Sequence, residues 1–159
     1  MANFVRLAAL SDAERITTLI NCAFRRAEEF FIDEDRIKLE NVRDFFETGK
    51  FLLGESDRVV AACVYVEQRN DRAYLGLLSV DPARQHSGLG SLLMDAAEEY
   101  CRGLACRFMD INVVNLREEL FGYYRQRGYI ETGTSPFPAD IETKLPCHFI
   151  EMSKQLAAS

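Results

Sequence analysis

The segment from residue 80 to residue 93 combines residue types that bind phosphate. An apolar strand pattern ends at Asp81-Pro82, a polar loop with Gly88 and Gly90 follows, and apolar residues then recur at helical spacing. Glycines let the backbone approach a ligand closely, and a helix N-terminus offers unpaired N–H groups and the positive end of the helix dipole. The segment therefore predicts a strand, a loop and a helix that together cradle a phosphate or pyrophosphate.

Two common phosphate-binding patterns do not fit this loop. A P-loop requires G-x-x-x-x-G-K-[ST], and the chain has no lysine between Lys50 and Lys144. A dinucleotide fingerprint requires three glycines in G-x-G-x-x-G, whereas residues 88–93 supply two. Residues 85–90, Q-H-S-G-L-G, fit the pattern [RQ]-x-x-G-x-[GA] instead.

A second pattern follows downstream. Residues 110–115 read as a strand running into a loop, and a helical stretch then ends in Y-Y-R-Q-R-G-Y at residues 123–129. In this order and spacing, the two patterns resemble the signature of the GNAT-type N-acetyltransferases. The resemblance covers roughly residues 4–152, and its specific part is residues 78–129. It implies that acetyl-CoA is the co-substrate and that the chain has the GNAT (acyl-CoA N-acyltransferase) fold, an α/β fold with a mixed central β-sheet flanked by helices.

The resemblance also implies where acetyl-CoA binds. Backbone groups of Leu78 and Val80 would pair with the pantetheine arm, and the N–H groups of residues 85–91 would hold the pyrophosphate. Arg84 would add a side-chain contact, while His86 would contribute either its ring or only its N–H group. The implied coenzyme-binding residues are Leu78, Ser79, Val80, Arg84, Gln85, His86, Ser87, Gly88, Leu89, Gly90, Ser91, Asn115 and Tyr124.

Tyr124 is the candidate catalytic acid, because it occupies the tyrosine position that lies near the acetyl-CoA sulfur in the family. A phenol has an ordinary pKa of about 10, close to that of a thiol leaving group. The alternative is that Tyr124 only packs on the coenzyme or in the core.

The general base is less well marked. Many GNAT enzymes place a glutamate on the strand before the glycine loop, but residues 72–80 contain no acid, and Asp81 lies only at their end. A base would have to come from elsewhere, acting directly or through water. The candidates are Glu28, Glu29, Glu67, Asp110 and His148.

Two segments are candidates for the acceptor site. Phe24, Phe30 and Phe31 make the connection after the first helix unusually aromatic, so they either line a pocket or belong to the core. Residues 133–146 contain three prolines and predict a long loop on the opposite side.

These observations favour an acetyl-CoA-dependent N-acetyltransferase that acts on a primary amine of a small molecule. Direct attack in a ternary complex fits better than a covalent intermediate, because no cysteine has a recognisable base partner. The alternatives are a non-catalytic acyl-CoA-binding sensor or regulatory module, and an acetyltransferase for protein N-termini or lysines. Another acyl donor is also compatible with the loop.

The elements that must position these residues follow the order β-α-α-β-β-β-α-β-α-β-β. A capping box at residues 11–14 predicts a first helix from Asp12 to about residue 26, and Asp33 is expected to cap a second helix that Gly49 closes. The other predicted helices lie at residues 89–102 and 116–127. The predicted strands are residues 3–8, 51–54, 59–67, 72–80, 107–113, 129–132 and 148–153.

Composition predicts one domain, residues 1–159, in the cytoplasm. The sequence is 48% hydrophobic and 28% charged, with no apolar run long enough to span a bilayer and no secretory signal pattern at its start. The net charge of −6 and the lack of a basic stripe argue against nucleic acid. Five cysteines without a C-x-x-C pair predict reduced thiols and no metal site. No membrane partner is expected, and a homodimer is compatible with the family resemblance.

Overall fold

A computed structural model describes residues 3–156 of the chain. The predicted domain ends, residues 1–2 and 157–159, lie outside the described residues. The helices are α1 (Ala13–Glu28), α2 (Leu39–Thr48), α3 (Leu89–Gly103) and α4 (Glu118–Gln126). The strands are β1 (Asn3–Leu7), β2 (Lys50–Ser56), β3 (Val59–Arg69), β4 (Arg72–Val80), β5 (Phe108–Val114), β6 (Ile130–Pro136) and β7 (His148–Gln155). The predicted order of helices and strands is therefore confirmed.

The strands form one mixed sheet in the order β1-β2-β3-β4-β5-β7-β6. Every neighbouring pair is antiparallel except β4 and β5, which run parallel. A parallel pair needs a crossover, and α3 supplies it. This crossover places the start of α3 at the end of β4.

Helices pack against both faces of the sheet through apolar residues. On one face, Ile16 and Ile20 of α1 and Val42 of α2 pack with Phe51 and Tyr65 of the sheet. The opposite face carries α3 and α4, whose buried members include Leu93, Met94 and Tyr124. Both helical layers are therefore anchored to the same central strands, and this holds the ends of α1, α3 and α4 around the end of β4.

Two predicted helix caps are wrong. α2 begins at Leu39 rather than after Asp33, because residues 29–38 form an irregular segment in which Asp33 pairs with Lys144 at 2.8 Å. At the first helix, Ser11 lies inside a short 3-10 turn, and Asp12 accepts a hydrogen bond from the N–H of Ala9 instead of capping α1 with its side chain. A tertiary ion pair therefore takes up the carboxylate of Asp33, and the 3-10 turn before α1 uses the carboxylate of Asp12.

All five cysteines are free, and Cys63, Cys101 and Cys106 are buried. Burial raises the pKa of both Cys63 and Cys101 to about 12, so these two thiols remain protonated at neutral pH. Within residues 3–156, no helix has the length and apolar character needed to cross a membrane.

Replacing Gly49 by alanine is expected to lower the free energy of unfolding by about 1–3 kcal/mol, the usual cost of overpacking. A methyl group there would overlap the carbonyl oxygen of Val66 and come within 2.6 Å of the Tyr65 hydroxyl. Urea unfolding measures the change. The matched control is Gly122→Ala in α4, where the new methyl meets open space and should stabilise the helix by about 0.5–1 kcal/mol. Equal unfolding midpoints for Gly49→Ala and the wild type would contradict the close packing at Gly49.

Candidate functional site

Strands β4 and β5 pair only at their beginnings and then separate. Their parallel register covers residues 72–74 of β4 and residues 108–110 of β5. Further along, Ser79 lies opposite Cys63 and Gly76 opposite Tyr65, so Leu77 and Leu78 together face the single residue Val64. This is a β-bulge, and Leu77 adopts a φ of 59°, which is unusual for a residue with a side chain. The bulge turns β4 away from β5 and leaves its edge unpaired beyond Tyr74.

The glycine loop ends at a helix N-terminus whose amides have no backbone acceptor. Gly88 is the N-cap of α3, with a φ of 83°, and the first helical hydrogen bond runs from the N–H of Leu92 to the carbonyl of Gly88 at 3.0 Å. In the described residues, the N–H groups of residues 88–91 therefore donate to no backbone carbonyl. A side chain at Gly88 would meet nothing within 4 Å, so the space in front of these amides is open.

An outer cavity of about 420 Å³ lies over this loop. Its floor is the glycine loop and the end of β4, and its walls come from α1 and α4. Its charged lining residues are Arg84 and Arg117, and it has no acidic lining residue among residues 3–156. The hydroxyl groups of Ser91 and Tyr123, 3.2 Å apart, lie at its edge. Most of the cavity lining is apolar, but its end at the glycine loop is basic and lined with free amides, which suits a polyphosphate.

An inner cavity of about 140 Å³ lies in the gap between the separating strands. Residues 74–78 of β4 and residues 111–114 of β5 form its sides, and Tyr124 closes one end. It adjoins the outer cavity, since Phe24, Leu78, Arg117 and Leu120 line both. A ligand on the glycine loop can therefore extend along the open edge of β4 into the gap.

Tyr124 lies on α4 with 7% of its surface exposed. Its ring packs edge-on against Tyr123 and Tyr129, and its hydroxyl makes no hydrogen bond within residues 3–156. Burial raises the pKa of Tyr124 to about 12, well above the ordinary value assumed from sequence. The phenol therefore stays protonated and is free to donate a hydrogen bond into the inner cavity.

Glu28 is the one candidate base that lines either cavity in the described residues. It is the last residue of α1, and its carboxylate is 3% exposed. The side chain of Arg117 donates to one carboxylate oxygen at 3.1 Å, and Arg36 lies 3.5 Å from the other. Burial raises the pKa of Glu28 despite the two arginines, which moves this carboxyl toward the range of a useful base.

The other candidate bases are engaged elsewhere or exposed. Glu67 accepts hydrogen bonds from Tyr65 and Arg69, both at 2.6 Å. Asp110 is held by two hydrogen bonds from Arg72. Glu29 and His148 are exposed. None of these four lines the inner or the outer cavity among residues 3–156.

Two of the coenzyme-binding residues implied by the resemblance point away from the cavities. The side-chain oxygen of Asn115 accepts the N–H of His148 at 2.9 Å, which ties the end of β5 to β7. Ser79 is buried and donates to the carbonyl of Leu77 at 3.0 Å, inside the bulge. The others all line the outer or the inner cavity: Leu78, Val80, Arg84, Gln85, His86, Ser87, Gly88, Leu89, Gly90, Ser91 and Tyr124.

Sequence reasoning missed Arg36 and Arg117, the two arginines beside Glu28. Arg117 lies in the short connection between β5 and α4, where a charged residue after a strand could have been noticed. Arg36 gives no such signal, because residues 29–38 have no regular pattern. It is positioned by Asn21 of α1, whose side chain exchanges two hydrogen bonds, at 2.9 and 3.0 Å, with the backbone of Ile37.

The three phenylalanines near the end of α1 have separate roles. Phe31 is fully buried in the core, whereas Phe30 is 50% exposed. Phe24 lines both cavities. The predicted loop at residues 133–146 begins later than expected, since β6 extends to Pro136, and it is tied to the segment after α1 by a hydrogen bond from the N–H of Lys144 to the carbonyl of Phe31.

The family model for the acetyltransferase (GNAT) family matches residues 13–129 of this chain. The chain belongs to the GNAT acetyltransferase family. The match covers α1, the glycine loop and the tyrosine motif, and it includes every lining residue of the two cavities except Phe149. A comparison with curated protein sequences finds no match.

Solved structures of GNAT proteins share this fold at low sequence identity. Ard1 from Thermoplasma volcanium is 17% identical, with a TM-score of 0.81 over 99% of this chain and 100% of that chain. YncA from Salmonella typhimurium, solved with its cofactor acetyl-CoA, is 19% identical, with a TM-score of 0.77 over 100% and 96% of the two chains. The ribosomal-protein-S18-alanine N-acetyltransferase from Escherichia coli is 15% identical, with a TM-score of 0.76 over 99% and 96%. These similarities establish the GNAT fold over the whole described chain.

Proposed function

We propose that this GNAT protein is an acetyl-CoA-dependent N-acetyltransferase, acting as a single domain on the primary amine of a small molecule. The observation that carries the proposal is the continuity of the two cavities. A basic, amide-lined cradle opens into a gap that holds a buried carboxylate, Glu28, and a protonated phenol, Tyr124.

The residues present fit acetyl-CoA. The free N–H groups of residues 88–91 and the guanidinium of Arg84 would hold the pyrophosphate, and the unpaired edge of β4 from Leu75 to Val80 would accept the pantetheine arm as an added strand. The thioester supplies an acyl carbon open to attack by an amine. With the coenzyme held in this way, that carbon would lie in the inner cavity.

Glu28 and Tyr124 of the inner cavity have separate roles in the reaction. The amine nitrogen forms a bond to the acyl carbon as the carbon–sulfur bond breaks. Glu28 takes the proton that the amine loses, and Tyr124 donates a hydrogen bond to the sulfur as negative charge develops on it. The sulfur leaves as a thiolate that takes a proton from water, and Glu28 releases its proton to water, so the products are an acetylated amine and the thiol form of the coenzyme.

The size of the inner cavity supports a small acceptor. A volume of about 140 Å³ holds about five water molecules at ~30 Å³ each. Because the acyl group would take part of this volume, only an amine with a short carbon chain fits beside it. The position of Glu28 in the same cavity favours catalysis over a purely coenzyme-sensing role, because a sensor needs no buried carboxylate at the acyl group.

The proposal is tested by acetyl-CoA binding in a calorimeter, followed by a screen for amines that release free thiol from acetyl-CoA. We expect binding with one site per chain and thiol release that depends on a specific class of amine. A well-folded protein that fails to bind acetyl-CoA would rule the proposed function out.

Tyr124→Phe is expected to lower kcat by about 10-fold, the value of one hydrogen bond to a charged group. A phenol with a pKa of about 12 would transfer its proton to a thiolate of ordinary pKa ~8.5 only at a cost of about 5 kcal/mol, so Tyr124 acts as a hydrogen-bond donor. The phenol ionises only as the pH rises through its pKa, so the activity should not fall on that account between about pH 7 and pH 10. The pH profile of kcat checks both statements.

The control for Tyr124→Phe is Tyr129→Phe, which loses a buried hydrogen bond to Glu98 at 2.9 Å outside both cavities. It should lower the melting temperature and leave kcat unchanged. If Tyr124→Phe also changed only the melting temperature, Tyr124 would be a packing residue.

A further inference from the structure

Arg36 is a largely buried arginine that shares its carboxylate partner, Glu28, with Arg117. Its guanidinium lies between two phenyl rings, 5.2 Å from the centre of Phe24 and 5.1 Å from that of Phe137. Its side chain is 14% exposed, yet it makes no hydrogen bond within residues 3–156. Its nearest charged partner is Glu28 at 3.5 Å, and the approach lacks hydrogen-bond geometry.

The guanidinium of Arg36 has N–H donors that the protein leaves without an acceptor. A guanidinium carries five N–H donors in a planar fork, and a buried donor without an acceptor costs free energy. Contact with the two rings restricts the orientation of the guanidinium plane, and the N–H groups at its edge remain available for hydrogen bonds. Because Arg36 lines the inner cavity, a ligand in that cavity can supply the missing acceptors.

The neighbouring carboxylate, that of Glu28, also lacks a hydrogen bond. One oxygen of Glu28 is held by Arg117, whereas the other, which faces Arg36, is buried without a hydrogen-bond partner. This oxygen and Nη1 of Arg36 face each other, whereas the Nε and Nη2 groups of Arg36 make no hydrogen bond among residues 3–156. The cavity therefore presents spare N–H donors beside a carboxylate. A ligand that satisfies both carries an amine and an anion on the same or neighbouring carbon atoms.

We propose that the acceptor is a small amino-carboxylate, an α- or β-amino acid, whose carboxylate is bound by Arg36 while Glu28 faces its amine. This inference rests on the proposed function and specifies its substrate class. A planar carboxylate matches the fork of Arg36 with two parallel hydrogen bonds. The third charged group of the inner cavity, Arg117, is already paired with Glu28 and, through its Nε, with Glu119 at 2.9 Å, so Arg36 is the cation that remains for the substrate.

The substrate class excludes two other kinds of acceptor. A polyamine would bring a second positive charge against Arg36. A protein N-terminus or a lysine side chain has no carboxylate next to its amine, so it would leave the donors of Arg36 unpaired. Both kinds should be poor acceptors compared with a free amino acid.

The test compares matched acceptors with the wild-type protein. Thiol release from acetyl-CoA is measured with the free α- and β-amino acids, with the amines that lack only their carboxylate, with spermidine, and with short peptides. We expect kcat/KM to be about 10- to 100-fold higher for at least one amino acid than for the amine of the same carbon chain, as for loss of a charged hydrogen-bond pair.

Three variants assign the effect to Arg36. Arg36→Gln should remove the preference by raising KM for the amino acid, with acetyl-CoA affinity unchanged. Arg36→Lys should restore part of it, because lysine keeps the charge but loses the fork. Arg43→Gln, at an exposed arginine of α2 that makes no ion pair among residues 3–156, is the matched control and should behave as the wild type.

The outcomes separate this inference from the proposed function. Equal activity towards amines with and without a carboxylate, or an Arg36→Gln variant that folds and keeps the preference, would overturn the inference and leave the acetyltransferase function standing. The same holds if the protein binds acetyl-CoA but neither binds nor acetylates any amino acid. Failure to bind acetyl-CoA would instead overturn the function itself.

Discussion

Gly88→Glu is expected to weaken acetyl-CoA binding by about 100-fold or more. The new carboxylate would lie at the free N–H groups of residues 88–91. It would accept their hydrogen bonds in place of the pyrophosphate and would repel the pyrophosphate by its charge. Loss of two charge-assisted hydrogen bonds at about 1.5 kcal/mol each accounts for a factor of this size. Calorimetric titration of wild type and variant with acetyl-CoA measures it.

Two control variants separate the parts of this effect. Gly88→Ala keeps the cradle open but places a side chain at a φ of 83°, so it reports the backbone strain, about 1–2 kcal/mol, without the added charge. Gly103→Glu adds the same charge at the other end of α3, where a side chain also meets open space, and should bind acetyl-CoA as the wild type does. Unchanged binding by a folded Gly88→Glu variant would show that the pyrophosphate lies elsewhere.

The features of the fold that depend on local sequence were predictable, and the glycine loop is the clearest case. Pro82 ends β4, and two glycines precede a run of apolar residues at helical spacing, so the strand, the loop and α3 follow from neighbouring residues alone. The strand order and the second helix depend on more distant contacts. Asp33 looked like a helix cap because nothing in the local sequence shows that Lys144, far along the chain, takes up its carboxylate.

The pairing of Glu28 with two arginines in the inner cavity was beyond prediction for the same physical reason. Glu28 stood among five candidate bases, since its burial and its two arginine partners exist only once α1, α4 and residues 29–38 have come together. Arg36 had no signal at all, because its place is fixed by Asn21 and by two phenylalanines that are distant in sequence. Residue types located the glycine loop, whereas tertiary packing located the carboxylate and its arginines.

The location of Glu28 also gives a physical account of the missing acid on β4. A general base must lie close to the amine of the acceptor, and it can come from any element that reaches this position. The gap between β4 and β5 is open to the end of α1, and Glu28 enters it from there. A carboxylate from the helix can therefore take the place of one from the strand.

Glu28→Gln is expected to lower kcat by about 100-fold or more, because a glutamine cannot take the proton that the amine loses, and general bases contribute about 10²- to 10⁴-fold. Only the ionised carboxylate is a base, so the activity of the wild type should rise as the pH rises through the pKa of Glu28. Burial raises that pKa above the ordinary value, so the acidic limb of the kcat/KM profile should lie at a higher pH than for a solvated glutamate.

The matched control for Glu28→Gln is Glu29→Gln, one residue further along the chain, where the side chain is exposed and lines neither cavity among residues 3–156. It should keep both the wild-type kcat and the acidic limb. In Glu28→Gln the limb should disappear together with most of the rate, while acetyl-CoA affinity is retained, because the outer cavity is unchanged. A Glu28→Gln variant with the wild-type kcat and the same acidic limb would show that the proton leaves by another route, and the base would then have to be a group that reaches the amine through water.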